Sequence, residues 1–418
     1  ALRLIENNED VLIIESGGAY NPETIAHHSL AQTNLQFYKQ GMNFCYGNVP
    51  MLFAEGSTYG GGSEVNSGLY FKLTEPYKSI FLEKANITVD EWNYVEKKVE
   101  KMLSVQHAPP GSFDNLESAL IDGSNNFDLI CEEIPRWREY NPAEEHKSMQ
   151  ASYLKLAEKD GLSVITQTEV MKIKPEREFI NILAKKDNKV LNFRSKKIVL
   201  SAGTIGTPKI LKNSGLISNS INFNFHPMTR CVVDYGKKIN HGDLFPPYQA
   251  WTKDYKFKFG YSVSTYPFVK ATLASLGKYD EIPEPSRLVS YFSSTVLDNS
   301  YGRLFSFRGK LVPFTYISRK DKRKIKEGFE ILKKLLRSTS VKKVWPHKGL
   351  SPMTTVHIFG SLPIGKNKNL GANGELLKDS RIKISDASIL PTAPWGNPQA
   401  VMMVLNEILI DRWIKQIK

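Results

Sequence analysis

Cysteine, arginine and long apolar runs are all scarce in this 418-residue chain. The three cysteines, Cys45, Cys131 and Cys231, are far apart, which excludes a disulfide framework and a cysteine-built metal cluster. No run of about 18 apolar residues occurs, so no membrane span is expected. The formal charge is +13, yet arginine supplies only 14 of the 56 cationic side chains. Lysine reads base edges less well than arginine, and the lysines are dispersed: Lys97 and Lys98, Lys185 and Lys186, the 320–334 stretch, Lys342 and Lys343. A solvated basic surface and no nucleic-acid partner are therefore expected. A basic protein that binds nucleic acid or anionic lipid is the rival reading. An initiating methionine is also lacking: Ala1–Ile5 reads as the end of a helix, so an upstream segment with any targeting signal is expected, and the cytoplasm is the favoured compartment.

What is present is globular: 41% hydrophobic and 24% charged residues. The length calls for two domains or one composite domain. Val11–Ile14 reads as a buried strand, and it ends in Glu15, Ser16, Gly17 and Gly18. An apolar strand that ends in an acid and then glycines has the form of a dinucleotide-binding βαβ unit, in which the acid accepts from a ribose hydroxyl. Residues 56–68 hold five glycines, too many for a regular element but suited to close approach of backbone N–H groups to a ligand. Residues 19–55 and 106–145 read as mostly irregular. Trp92, Val95, Val99 and Met102 set a helix over 89–104, and 147–160 reads as helical. Leu162–Lys174 reads as one strand, and 180–185 with 189–193 as a hairpin turning at Asp187 and Asn188. Ile198–Leu200 reads as another buried strand, leading to Ser201, Ala202 and Gly203. Thr207 and Pro208 look like the N-cap and first residue of a short helix that Ser214 and Gly215 close. From 229 to 316 strands alternate as in an antiparallel sheet, through Cys231–Val233, Phe257–Val263, Leu288–Phe292, Arg303–Phe307 and Leu311–Tyr316. Ile325, Phe329, Leu332 and Leu336 then form a helix stripe. Arg381–Ser385 reads as a strand, and a helix runs from about 398 to 415. The strands at 11–14, 163–174, 198–201 and 381–385 are expected to form one nucleotide-binding layer.

Four separated pieces then carry a resemblance: Glu15–Gly18; the loop 56–70; Gly203–Leu216; and the block from His357 through Gly360 and Asp386–Ser388 to Gly396, Asn397 and Pro398. In this order they resemble the signatures of the glucose–methanol–choline (GMC) family of FAD-dependent alcohol oxidoreductases. The resemblance implies an α/β plus α+β architecture: a Rossmann-like FAD-binding domain (1–75, 162–225 and 358–418) with an inserted antiparallel-sheet substrate domain (76–161 and 226–357). It implies that Glu15 and Gly17 lie at the adenosine ribose, and Gly60, Gly61, Gly62 and Ser63 along the pyrophosphate and isoalloxazine, with Asn66 near the flavin. It also places the backbone of Val170 at the adenine. Asp386 and Ala387 would meet the phosphate and ribityl region, and Ala202, Gly203, Asn397 and Pro398 are further cofactor-binding candidates. His357 aligns with the family's catalytic histidine, and Asn397 with its second active-site position.

Those residue types suit the chemistry. Histidine can take a hydroxyl proton, and an Asn amide can hold the substrate oxygen without competing for that proton. The resemblance further implies a small-molecule alcohol as substrate, and oxygen or an electron carrier as acceptor. Where covalently flavinylated members carry histidine, this chain has Val65, so non-covalent FAD is expected. His226 resembles a position near the flavin but is expected to be structural, as is His347. Trp137, Phe292 and Trp395 are candidates for an apolar pocket. A non-catalytic remnant of the same fold is the second rival.

Overall fold

The computed structural model describes residues 1–417 except 22–23, 113–115, 117, 141–144, 218–219, 240–245, 263–265, 279–283 and 308–309, and only the backbone at 266–268, 271 and 285. Strand Leu12–Ile14 runs parallel to Ser163–Ile165, Leu12 opposite Ser163 and Ile14 opposite Ile165. The single strand expected over 162–174 is instead two. Gln167 takes a φ of 55°, and its N–H reaches Gly17 O at 2.8 Å. That left-handed residue breaks the strand and ties it to the glycine turn. The second piece, Thr168–Pro175, joins a three-stranded antiparallel meander with Ile180–Lys186 and Lys189–Ser195. Its hairpin turns at Asp187 as expected, with φ 52°.

Ile198–Leu200 pairs in parallel with Asp379–Ile384, and Glu375–Leu376 completes that sheet. The four strands expected to share one layer therefore lie in three hydrogen-bonded sheets. Helix Gly203–Asn213 follows at once, and it corrects a second expectation: Pro208 is its sixth residue, not its first. A proline there removes the N–H that would reach the carbonyl four residues back. That carbonyl, Thr204 O, accepts instead from Ser361 Oγ at 2.7 Å. Ser214 and Gly215 close the helix, Gly215 with φ 70°.

The remaining strands form a small antiparallel sheet of Val105–Gln106, Arg136–Glu139 and Glu145–His146 and a 13-stranded mixed sheet. Its antiparallel heart runs Tyr248–Trp251, Lys258–Tyr261, Leu288–Ser294, Met228–Asp234. Part of the expected strand, Val263, lies outside the described residues. One face of this heart presents Cys231, Val233, Ala250, Phe259, Val289 and Tyr291 to the stripe Phe329, Leu332, Leu335 and Leu336 of helix Arg319–Arg337. Each fully buried side chain of this kind contributes about 1.5–3 kcal/mol. Strands Asn43–Gly47 and Met51–Phe53, and helix Leu30–Gln36, lie in the stretch expected to be irregular; helix Ser118–Asn126 and strands Ile130–Glu133 and Arg136–Glu139 lie in the other. The large sheet also takes Asn43–Gly47, Met51–Phe53, Ile221–Phe225 and Ile358–Phe359 from ranges expected in the flavin domain, so the boundaries at 76 and 226 do not coincide with sheet boundaries. Helix Pro398–Ile417 packs along helix Val89–Met102; the Arg412–Glu91 ion pair and a Trp413 Nε1–Ser380 O hydrogen bond of 2.8 Å fix it.

No helix among the described residues is long and apolar enough to cross a membrane. No three His, Cys, Asp or Glu side chains among them gather as a metal site. The lysines are not all solvated, however: Lys258, Lys333 and Lys383 are buried.

Candidate active site

Three clusters assemble around the ends of the parallel strands. In the first, the turn after Leu12–Ile14 meets the glycine loop. Thr58 Oγ1 and Tyr59 N both donate to Gly18 O at 2.9 Å. Gly17 is squeezed so closely that a Cβ there would sit 2.1 Å from Ser57 O, which explains the glycine. Glu15 Oε1 accepts from Gly17 N at 2.7 Å, and burial raises its pKa against that bond. Ser63 and Glu64 anchor the loop: Ser63 Oγ donates to Gly60 O (2.8 Å) and accepts from Met149 N (2.9 Å), while Gln150 N donates to Glu64 Oε1 (3.1 Å). Asn66 turns onto its own loop, its Oδ1 accepting from Gly68 N at 2.8 Å. Gly61 and Gly62 are different. A Cβ on either would meet nothing within 4 Å, so their backbone borders open space. Val170 lies in the meander ladder opposite Ala184, beside a bulge.

The second cluster joins the other parallel pair to the C-terminal block. Asp386, 7% exposed, accepts from Gly203 N (2.9 Å), Thr207 Oγ1 (2.5 Å) and Ser388 N (2.8 Å). It thereby caps the helix Gly203–Asn213 from 183 residues away. Burial raises its pKa, and the hydrogen bonds oppose that rise. Glu55, just before the glycine loop, is pushed up to about 7, by burial first and then by the Asp386 carboxylate. Gly203 has φ 79° and faces open space like Gly61 and Gly62. Gly360 N donates to Ala387 O at 2.9 Å.

The third cluster holds the histidines. Strand Ile221–Phe225 pairs with Ile358–Phe359, Phe225 opposite Ile358. The next residues along, His226 and His357, must then face each other. His226 N donates to His357 O at 3.2 Å, and the two Nδ1 atoms lie 3.3 Å apart, one donating to the other. Among the described residues, Nε2 of His357 makes no hydrogen bond. Burial, then His226 and Lys258, hold His357 well below the usual histidine pKa; burial, then Lys258, bring His226 down to about 3. Both rings are neutral near pH 7. Asn397 directly precedes helix Pro398–Ile417, whose first residue is Pro398, and its Oδ1 accepts from Lys258 Nζ at 3.0 Å.

Lys258 is the residue that sequence reasoning missed. It is 4% exposed, and its ammonium lies over the rings of Phe71 (4.8 Å), Trp395 (5.8 Å) and Phe292 (5.9 Å). Burial pushes its pKa down to about 7. Phe257, Phe259 and Tyr261 alternate with it, so the pattern read as a strand with one solvated face; no local signal tells that the second face is covered. Of the expected pocket aromatics, Phe292 and Trp395 lie here, whereas Trp137 packs against Tyr70 and His146. His347 is exposed at its turn.

The family model described as GMC oxidoreductase matches residues 13–228, just over half of the chain. A curated relative, an uncharacterised GMC-type oxidoreductase of Sinorhizobium fredii, is 21% identical, with 94% of this chain and 88% of that protein covered. Two solved structures share the fold at 14% identity: pyridoxine 4-oxidase from Mesorbium loti, with a TM-score of 0.75 over 99% of this chain and 96% of that one, and a formate oxidase variant from Aspergillus oryzae, with a TM-score of 0.78 over 100% and 96%. The chain belongs to the GMC oxidoreductase family and is, as such, an FAD-dependent oxidoreductase.

Proposed function

We propose that this protein oxidises the CH–OH group of an alcohol, with His357 as the base and Asn397 holding the substrate oxygen. One observation carries this reading. His226 occupies Nδ1 of His357, whose Nε2 has no partner among the described residues, and Lys258 bonds Asn397 while its charge reaches both histidines. The two residues implied by the family pattern thus belong to one cluster.

The residues present fit FAD. Gly61, Gly62 and Gly203 offer backbone to open space, as a pyrophosphate requires. Glu15 would hold the ribose, Gly17, Gly60 and Ser63 would keep the loop in place, and Asn66, Val170, Ala202, Asp386, Ala387 and Pro398 would border the remainder. When bound, FAD accepts the hydride. Val65 has no ring nitrogen to attach to it, so we propose non-covalent binding. The flavin domain would comprise 1–75, 162–225 and 358–418, and the substrate domain 76–161 and 226–357.

The protein's own part is proton handling and orientation. A histidine kept neutral is available at every physiological pH but is a weak acceptor, so it takes the hydroxyl proton as the carbon loses its hydride rather than beforehand. His226 holds the ring so that Nε2 points away from its partner. Asn397, itself held by Lys258, presents its amide to the substrate oxygen. Oxygen or an electron carrier would reoxidise the system. The test is to record the visible spectrum of the purified protein, precipitate it with acid, and add a panel of alcohols without oxygen. Flavin released as FAD and bleached by at least one alcohol supports the reading; a flavin that no alcohol bleaches overturns it.

A further inference from the structure

The sheet face that carries Lys258 holds a second unneutralised cation. Register places Trp251, Lys258, Ser294 and Met228 in one row across four strands, and Gln249, Gly260, Phe292 and Arg230 in the row two residues away. Rows two residues apart share a face, so all eight positions lie on the face away from the helix-covered core. Lys258 and Arg230 make no ion pair among the described residues. Lys258 donates to a neutral amide, and Arg230 Nε donates to Ser262 Oγ at 2.8 Å. Burial alone lowers the pKa of each. Lys258 is buried and Arg230 half-buried; a buried cation without a counter-charge is costly, and proteins retain one where something else supplies the charge.

Two neighbours are also unfinished. Among the described residues, Trp251, directly opposite Lys258, has a buried Nε1 with no acceptor, and Gln249, opposite Gly260, has a buried Oε1 with no donor. Both residues are nearly inaccessible, at 6% and 2%. Lys258 and Trp251 are cross-strand neighbours, and an ammonium with an indole N–H suits the two oxygens of a carboxylate, while the amide oxygen of Gln249 suits a hydroxyl. Gly260 makes room for the ring of Phe292, since a Cβ there would lie 2.9 Å from that ring. The ring lies beneath Lys258 and keeps water from the ammonium.

We infer that Lys258, supported by Trp251 and Arg230, binds a carboxylate on the substrate, so that the alcohol oxidised is a hydroxy acid. This rests on the proposed alcohol oxidation, because Asn397 is the residue that would hold the reacting oxygen. Lys258 bonds Asn397 directly, so the carboxylate and the oxidised carbon are only a few atoms apart: a short hydroxy acid, with the hydroxyl on the carbon next to the carboxylate or one further. Among the described residues, the titratable groups that interact with Lys258 are His226 and His357, neither of them acidic, and Arg230 lies on the same sheet face. Anion binding therefore favours the protonated lysine and weakens as pH rises past about 7.

The experiment uses the holoenzyme in two arms. In the first, calorimetry measures binding of acetate, acetamide and inorganic phosphate. Acetate should bind at least tenfold tighter than acetamide at pH 6 and lose affinity above pH 7. Lys258→Met should abolish the preference, Lys258→Arg should keep it, and Trp251→Phe should weaken it severalfold. Lys258→Met also removes the donor to Asn397, so the melting temperature of each variant is measured beside its binding, and the arginine variant controls for side-chain bulk. Equal binding of acetate and acetamide, or an unchanged preference in Lys258→Met, overturns the inference. Phosphate favoured over acetate overturns the carboxylate assignment. In the second arm, 2-hydroxypropanoate and 1,2-propanediol reduce the flavin anaerobically. The acid should be preferred by at least tenfold in kcat/KM, and Lys258→Met should erase that preference, so that the acid loses at least tenfold more than the diol does. If the diol is the better substrate, alcohol oxidation stands and the anion site falls. If acetate binds through Lys258 but no alcohol bleaches the flavin, the anion site stands and the proposed reaction falls.

Discussion

Replacing Ser361 by alanine isolates one compensation on which the frame of the site depends. The hydroxyl donates to Thr204 O at 2.7 Å, the carbonyl that residue 208 would have bonded had it not been proline. Thr204 and Ser361 are each 3% exposed, so water does not replace the lost donor. An orphaned buried carbonyl costs about 1–3 kcal/mol. In a Pro208→Ala background the restored N–H takes that carbonyl, and Ser361→Ala should then cost about 1 kcal/mol or less. The coupling expected from the four-protein cycle is about 1–2 kcal/mol, against the ~0.5 kcal/mol within which independent sites add. Urea unfolding followed by far-UV circular dichroism, with slopes compared across the four proteins, measures it. An equal cost of Ser361→Ala in both backgrounds would refute the reasoning.

Other expectations follow from the same geometry. Gly17→Ala puts a Cβ 2.1 Å from Ser57 O; the backbone must move, at about 1–3 kcal/mol, and both the melting temperature and FAD affinity should fall. Glu15→Gln replaces a charged acceptor by a neutral one and should weaken FAD binding roughly 10- to 150-fold, as a loss of about 1.5–3 kcal/mol implies; unchanged affinity by fluorescence titration would mean that Glu15 does not contact the ribose. His28, His146 and His226 are held near pKa 3 and His357 well below its usual value, each chiefly by burial. A folded pKa below the unfolded value means that unfolding takes up protons. The histidine contribution to stability should therefore be full above about pH 6.5 and drain away as pH falls from there toward 3, with roughly one proton taken up per histidine; a urea midpoint independent of pH between 6.5 and 4 contradicts this.

The parts of the fold legible in sequence are those whose periodicity is local. Trp92, Val95 and Val99 announce their helix because all three are buried at helical spacing, and Ile325, Phe329, Leu332 and Leu336 do the same. Strand Asn43–Gly47 escaped because its alternation is inverted: Asn43 and Cys45 are buried, while Phe44 and Tyr46 point outward at 50% and 55% exposure. Pro208 misled because Thr-Pro is an ordinary helix start, and the hydroxyl that permits it mid-helix comes 157 residues after Thr204. In the candidate site, His357 and Asn397 were found through motif resemblance. The pairing of His226 with His357 is a matter of strand register between distant segments. Lys258 was invisible because a lysine alternating with aromatics normally marks the wet side of a strand, and only the arrival of Phe71, Trp395 and Asn397 from elsewhere makes that side dry.

The most direct measurement is the anaerobic rate of flavin reduction in the wild type and in His357→Ala, with a substrate taken from the alcohol panel. Removing the base should slow reduction by roughly 10²–10⁴, while bound FAD and reduction by dithionite, which needs no base, stay unchanged. The wild-type rate should hold level as pH falls through 6.5 and drop only well below it, because burial keeps His357 neutral; the alanine variant should lose that limb altogether. If His357→Ala is reduced by the alcohol as fast as the wild type, His357 is not the base and the proposed chemistry is wrong.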